Sequence, residues 1–207
     1  MRCNHANHWF RHQALLHALA SLADRAGLAN HESSSERLHP ELRAVLGNRQ
    51  ADLILPDFRG AGLDAHIDVT VVDPLLRAYG DMEYCTPGDA VRLVKAVQKY
   101  DHYSPITAFG HVVQVFGVEL FGAIDPDAIA FLSSFIVRPF VSARGVDPDS
   151  ERGRTMATAF REQCFARLSV AVQRANAHLV HATVVRLFPK TSTTQLGLVA
   201  RFTSPSL

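Results

Sequence analysis

Apolar positions in the first part of the chain recur at helical spacing. Leu15, Leu19, Leu22 and Ala26 follow one another at intervals of four, three and four, which stacks them on one face and predicts a helix over 10–26. Gly27 suits its C-cap. Leu28–Glu32 predicts a short strand, and the polar stretch Ser33–Arg49 holds a helical turn from Pro40 to Leu46. Two apolar, β-branched runs, Leu53–Leu55 and Ile67–Val72, flank the turn-rich segment Pro56–Gly62. Runs so joined read as a β-hairpin, Asp52–Leu55 with His66–Val72. Thr86-Pro87-Gly88-Asp89 opens a helix that reaches about Tyr103, with Ala90, Val91, Val94 and Val97 as its buried stripe. Arg92, Lys95 and Lys99 line a second face of it. Ile106–Phe109 and Val112–Phe116 predict one straight or bent strand. Asp125-Pro126-Asp127 starts a helix to about Phe135, and a Pro/Gly/Asp-rich break follows from Arg138 to Gly153. Thr155 to His181 predicts a long helix with its seam at Phe160, Cys164, Leu168, Ala171, Ala175 and Leu179. The tail holds two strand-like runs, Thr183–Phe188 and Gln195–Phe202.

Each hairpin strand carries an acid where a buried strand avoids one, Asp52 and Asp68. If the hairpin is symmetric about Gly60, residues whose numbers sum to 120 face each other, and Asp52 lies opposite Asp68. Directly opposed residues have Cβ atoms only ~4.5–5.5 Å apart, where like charges destabilise. A divalent cation held between the two carboxylates turns that cost into a reason for the arrangement. Two strand-edge acids in solvent are the alternative.

Composition alters this picture little. At 207 residues, 47% hydrophobic and 20% charged, the chain reads as an ordinary globular sequence of one domain with an appended segment. The densest apolar region, Ile106–Val137, is broken by His111, Gln114, Glu119 and Asp125-Pro126-Asp127, so no stretch is expected to span a bilayer. The N-terminus lacks the apolar core of a secretory signal. Three cysteines, odd in number and far apart, give no disulfide framework and suit a reducing compartment. Charge is uneven along the chain. Residues 1–137 hold 11 Lys/Arg against 16 Asp/Glu, and residues 138–207 hold 10 against 4. An acidic first part suits a metal-binding core, and a basic second part suits a polyanionic partner. Solvated helix faces of uneven charge account for the same numbers.

The order helix, short strand, hairpin, helix, strand, then helical extension, with Ala51-Asp52-Leu53-Ile54-Leu55-Pro56, Asp64–Pro74, Lys99-Tyr100 and Val113-Gln114-Val115-Phe116-Gly117, resembles the PD-(D/E)XK nuclease fold. More narrowly, it resembles the restriction-endonuclease-like domain of non-LTR retrotransposon reverse-transcriptase polyproteins. Arg11-His12-Gln13-Ala14-Leu15, the Asp24–Leu28 stretch and Ala175-Asn176-Ala177 belong to the same match, which spans roughly residues 10–180. The resemblance implies an α/β (α+β) chain. Residues 1–137 would form the endonuclease-like core (helix, mixed sheet with a central hairpin, helix, strand). Residues 138–207 would form a basic, mainly helical extension packed on it. It implies a Mg²⁺- or Mn²⁺-dependent DNA endonuclease of a retroelement, attached to a reverse transcriptase in a longer polyprotein and working in the nucleus. Its residue-by-residue reading makes Asp52 and Asp68 the motif acids, with Lys99, or Lys95 one turn earlier, supplying the lysine. Glu32 and Gln114 become further metal ligands.

Two positions depart from the family pattern. Ala51 stands where a simple motif has proline, and Thr70 stands where the lysine would follow Asp68. If neither Lys95 nor Lys99 reaches the acids, the chain is an inactive remnant that holds nucleic acid. Arg152, Arg154, Arg161, Arg167 and Arg174, with Arg186, are the candidate phosphate contacts, giving salt-dependent and largely sequence-independent affinity. Cys3, His5, His8 and His12 admit a zinc reading, but their spacing is irregular. His111 reads as a core or edge histidine.

Overall fold

The computed structural model describes residues 5–32, 40–46, 50–58, 62–73, 91 and 97–187. They form a mixed α/β structure around a four-stranded sheet in the order β1-β2-β3-β4. The strands are β1 (His31–Glu32), β2 (Leu53–Leu55), β3 (Ala65–Val72) and β4 (Val112–Glu119). β1 and β2 are antiparallel, β2 and β3 are antiparallel, and β3 and β4 run parallel. The helices are α1 (His5–Arg25), α2 (Pro40–Leu46), α3 (Val97–His102), α4 (Ser104–Ala108), α5 (Pro126–Phe131), α6 (Arg138–Ser142) and α7 (Glu151–Leu187). A π-helical turn, Leu132–Val137, joins α5 to α6.

Strand alternation sends the side chains of β3 to two different covers. Ala65, Ile67 and Val69 face a core shared with Leu53 and Leu55 of β2, Leu15, Leu19 and Leu22 of α1, and Phe160, Cys164 and Leu168 of α7. The leucine stripe of α1 and the seam of α7 therefore meet in one core, with Phe140 stacked on Phe160 at 3.5 Å between ring centroids. The other face is smaller, with Ile54 and Val113 covered by Leu42 and Leu46 of α2, Tyr103, and Ile106 of α4. His66, Asp68 and Thr70 belong to this second face, and all three are buried.

Most predicted elements are present. Gly27 closes α1 at φ 76°, with its N–H on the Asp24 carbonyl. The helical turn at Pro40–Leu46 forms as expected. Three readings need correction. Ile106–Ala108 is helical, not strand: Ser104-Pro105 starts α4, and Ile106 is buried against α2. The helix expected to stop near Phe135 continues through the π-helical turn to Ser142, because Ile136, Val137, Phe140 and Val141 extend its buried face. Pro139 has no N–H for an ordinary helical bond, and the π-helical turn lies just before it. The run from Thr183 is helical to Leu187 rather than a strand. Its β-branched residues suggest extended chain, but Thr183 Oγ1 donates to the Leu179 carbonyl at 2.8 Å within the helix. The predicted helix start at Thr86–Asp89, Phe188 and the run Gln195–Phe202 lie outside the described residues. Among those described, no helix is long and apolar enough to cross a membrane.

Candidate metal and nucleic-acid site

The hairpin register is the predicted one: Leu53 pairs with Ile67, Ile54 with His66 and Leu55 with Ala65. The pairing stops there: Asp52 lies just outside β2, and its N–H donates at 2.9 Å to the carbonyl of Ile67 rather than to Asp68. Its side chain extends the pairing, since Asp52 Oδ2 accepts the Val69 N–H at 2.7 Å.

Asp68 is almost sealed, its side chain 3% exposed. A lone carboxylate so placed would be costly, and this one is surrounded by donors. Lys99 Nζ lies 2.9 Å from Oδ1, the Tyr103 hydroxyl donates to Oδ1 at 2.7 Å, and Thr70 Oγ1 donates to Oδ2 at 2.9 Å. Tyr103 follows Lys99 by four residues, and its N–H bonds to the Lys99 carbonyl at 3.0 Å, so both side chains leave one helical face. Thr70, where the resemblance expects a lysine, is a hydroxyl donor, and the ammonium arrives from α3.

Asp52 has a partner that the sequence did not single out for this role. His12 of α1 places Nε2 2.9 Å from Asp52 Oδ2. That hydrogen bond lifts the imidazole above its ordinary value, burial opposes it, and the charges of Asp52 and Asp68 add to it while Lys99 works against it. The Tyr103 hydroxyl is pushed far up by burial, then by Asp68 and Asp52. His12 and Tyr103 thus each respond to both carboxylates, which makes His12, Asp52, Asp68, Lys99 and Tyr103 one electrostatic cluster. A signal for His12 existed. It precedes Leu15 and Leu16 by three and four residues on the buried side of α1, where an imidazole needs a partner.

Other expected site residues lie elsewhere. Gln114 pairs with Ile67 in the β3–β4 register, so its side chain shares the face of Ile67 and lies across the sheet from Asp68. Its amide donates to the Val115 carbonyl at 2.7 Å. Glu32 pairs with Leu53, on the α1 face, and its exposed carboxylate sits 3.5 Å from His17 Nε2. The structure therefore does not bring Gln114 or Glu32 to Asp68. Lys95, Cys3 and the side chains of His5, His8 and Arg186 lie outside the described residues.

Arg152, Arg154, Arg161, Arg167 and Arg174 are exposed on α7. At ~100° per residue they divide into two sets, Arg154 with Arg161 on one side and the other three roughly opposite. Arg167 and Arg174 line a groove against Ala18 and Ser21 of α1. Arg154 and Arg161 line another with Ser134, Arg138 and Asp149. The five arginines form no single stripe.

A second group of ligating side chains stands at the starts of β3 and β4. Asp64, His66 and His111 each offer a ligand atom within 4.8 Å of the others, so they could hold a metal ion.

In comparisons with known proteins, no family model and no curated protein matches the chain.

Proposed function

We propose that the chain is a restriction-endonuclease-like DNA endonuclease domain of a retroelement, cutting phosphodiester bonds with Mg²⁺ or Mn²⁺. The observation that carries this reading is the contact of Lys99 Nζ with Asp68 Oδ1 at 2.9 Å, beside Asp52 across the hairpin. It supplies two acids and a lysine without a lysine at position 70.

The donor set fits such an ion. Asp52 and Asp68 offer carboxylate oxygens, the hard ligands that Mg²⁺ and Mn²⁺ favour, and both belong to one charge cluster. A cation bound there neutralises phosphoryl charge and makes bound water more acidic. The chain's own groups do the rest. Lys99, half-exposed, can release Asp68 to orient a nucleophile or offset developing negative charge. Tyr103 and Thr70 keep the Asp68 carboxylate oriented. His12 holds a proton at Nε2 against Asp52. Arginines of α7 contribute phosphate contacts from two separate sides. In this reading the domain works within a longer polyprotein beside a reverse transcriptase, in the nucleus.

The test is nicking of supercoiled plasmid with Mg²⁺ or Mn²⁺. Cutting by the wild type and none by Asp68→Ala supports the reading; no cutting with either metal sinks it. One observation favours a second reading, an inactive nucleic-acid-binding domain of the same fold. The hydroxyl at position 70 is already engaged by Asp68 at 2.9 Å and carries no charge. Salt-sensitive, metal-independent DNA binding without cleavage selects that alternative.

A further inference from the structure

We infer that Asp64, His66 and His111 form a second metal site, for a borderline divalent cation of the Zn²⁺ class, which clamps the starts of β3 and β4. The inference is independent of the endonuclease reading.

The placement follows from register. Ala65 pairs with Val112, so Asp64 and His111 are the preceding neighbours across the parallel pair. His66 lies two residues beyond Asp64, on the same face. An Asp-x-His segment and a histidine on the adjacent strand thus occupy three contiguous positions of one face. Their ligand atoms lie within 4.8 Å of one another, and tetrahedral ligation at ~2.0–2.1 Å, which sets ligand atoms ~3.3 Å apart, asks them to close by up to ~1.5 Å. The two rings meet edge to face, 5.5 Å between centroids.

Donor chemistry selects the ion. Two imidazoles and one carboxylate suit Zn²⁺ and its neighbours, whereas Mg²⁺ favours oxygen donors throughout. The surroundings are apolar on both sides, since His66 pairs with Ile54 in β2 and with Val113 in β4. Three protein ligands leave a fourth position for water or another group. The Asp64 N–H now donates to His111 Nδ1 at 2.9 Å, which fixes the ring's position. Ligation through that nitrogen exchanges one hydrogen bond for a metal–imidazole bond.

The role is structural. β3 and β4 are parallel and joined by a crossover from Asp73 to His111, so no short turn holds their starts together. An ion bound by residues on both strands supplies that link, at the beginning of the strand that carries Asp68.

Co²⁺ titration of the full chain, followed by visible absorption, tests this, with Zn²⁺ binding and thermal unfolding as companion measurements. The expected result is one equivalent of Co²⁺ with tetrahedral bands, displaced by Zn²⁺, and a raised Tm. His111→Gln and Asp64→Asn should each weaken binding at least tenfold, whereas Asp68→Asn should retain it. Unfolding curves without metal identify any variant that has lost its fold. In the wild type, Zn²⁺ should also shift the imidazole ¹⁵N resonances of His66 and His111. Absence of uptake at micromolar Co²⁺ and Zn²⁺ overturns the inference. So do tetrahedral bands that survive both His111→Gln and Asp64→Asn, because they place the ion elsewhere.

Discussion

Lys99 Nζ and Asp68 Oδ1 stand 2.9 Å apart, joining a half-exposed ammonium to a carboxylate that is almost sealed. The geometry gives the buried acid a cation although its strand carries Thr70 where the resemblance expects a lysine. The helix supplies the charge that the strand lacks. Under the endonuclease reading, Lys99→Met should lower nicking by about 100-fold, the scale of losing one preorganised charge-stabilising donor. Removing one partner of a fully buried pair costs ~3–5 kcal/mol, but solvent reaches Lys99 and two hydroxyls remain on Asp68. A loss of about 1–2 kcal/mol in urea unfolding is expected. Unchanged nicking by a folded Lys99→Met would remove Lys99 from the reaction.

Tyr103 separates orientation from charge. Its hydroxyl donates to Asp68 at 2.7 Å, and the Gln50 carbonyl, 3.0 Å away, is a second acceptor competing for the same proton. Tyr103→Phe keeps the ring in its apolar cluster and deletes only the hydroxyl. Loss of one buried hydrogen bond should cost about 1 kcal/mol. Under the endonuclease reading, Mg²⁺ affinity at the acids should change less than in Asp68→Asn. Chemical denaturation and Mg²⁺ titration of the nicking rate check the two statements.

The acids of this cluster were legible in the sequence because they interrupt apolar strands, and the hairpin's symmetry about its loop predicted the Leu53–Ile67 pair that each acid adjoins. Helical spacing put Lys99 on one face with Arg92 and Lys95, and only the resemblance pointed it, or Lys95, at the acids. Tyr103 was equally available, four residues on, but an aromatic ring at a helix end reads as core until its hydroxyl is located. His12 reaches Asp52 from 40 residues away in sequence, a contact that no local pattern contains. Gln114 illustrates a different limit. Its face depends on the register of a parallel pair, and a shift of one residue reverses every side chain. Nothing within Val112–Glu119 alone fixes that register. The division of the α7 arginines, by contrast, follows from helical phase and was readable from their numbers.

At Gly117 the chain above the second face packs directly on the sheet. It pairs with Thr70, and a Cβ at this position would overlap Val91 Cγ1, with Asp125 Cβ at 3.5 Å beyond. Val91 is fully buried there. Gly117→Ala should therefore destabilise the fold by roughly 1–3 kcal/mol, as overpacking does. A Gly117→Ala/Val91→Ala double variant should lose less than the two single losses combined, because each relieves the other's contact. Additive losses in denaturant titrations would show that the two positions do not meet.

Cys164 sits in the shared core of α1 and α7 with no exposure. Burial raises its thiol to about 11, against the opposing pull of Arg25 and Arg167. The thiolate is the reactive form, so at pH 8 little of it exists in the folded chain. With Cys3 and Cys85 replaced by serine, the remaining thiol should react with a disulfide reagent only as fast as the protein opens. Denaturant should accelerate the reaction. Fast modification of the native protein would contradict the buried placement.

His12 makes the cluster sensitive to pH. The hydrogen bond to Asp52, supported by the charges of Asp52 and Asp68, outweighs burial and Lys99 and raises the imidazole above its ordinary 6.5. A raised folded value means that the native state holds this proton more tightly than the unfolded chain does. The associated stability is fully present below about 6.5 and is lost as pH rises through the folded value. Wild type should therefore lose Tm relative to His12→Gln between mildly acidic and mildly alkaline pH. Under the endonuclease reading, the same proton competes with a cation for Asp52. Mg²⁺-dependent nicking should rise over this interval in the wild type, and His12→Gln should flatten that part of the profile. An NMR titration of His12 gives the folded value directly. A midpoint at or below the ordinary one would show that the Asp52 contact does not hold in solution.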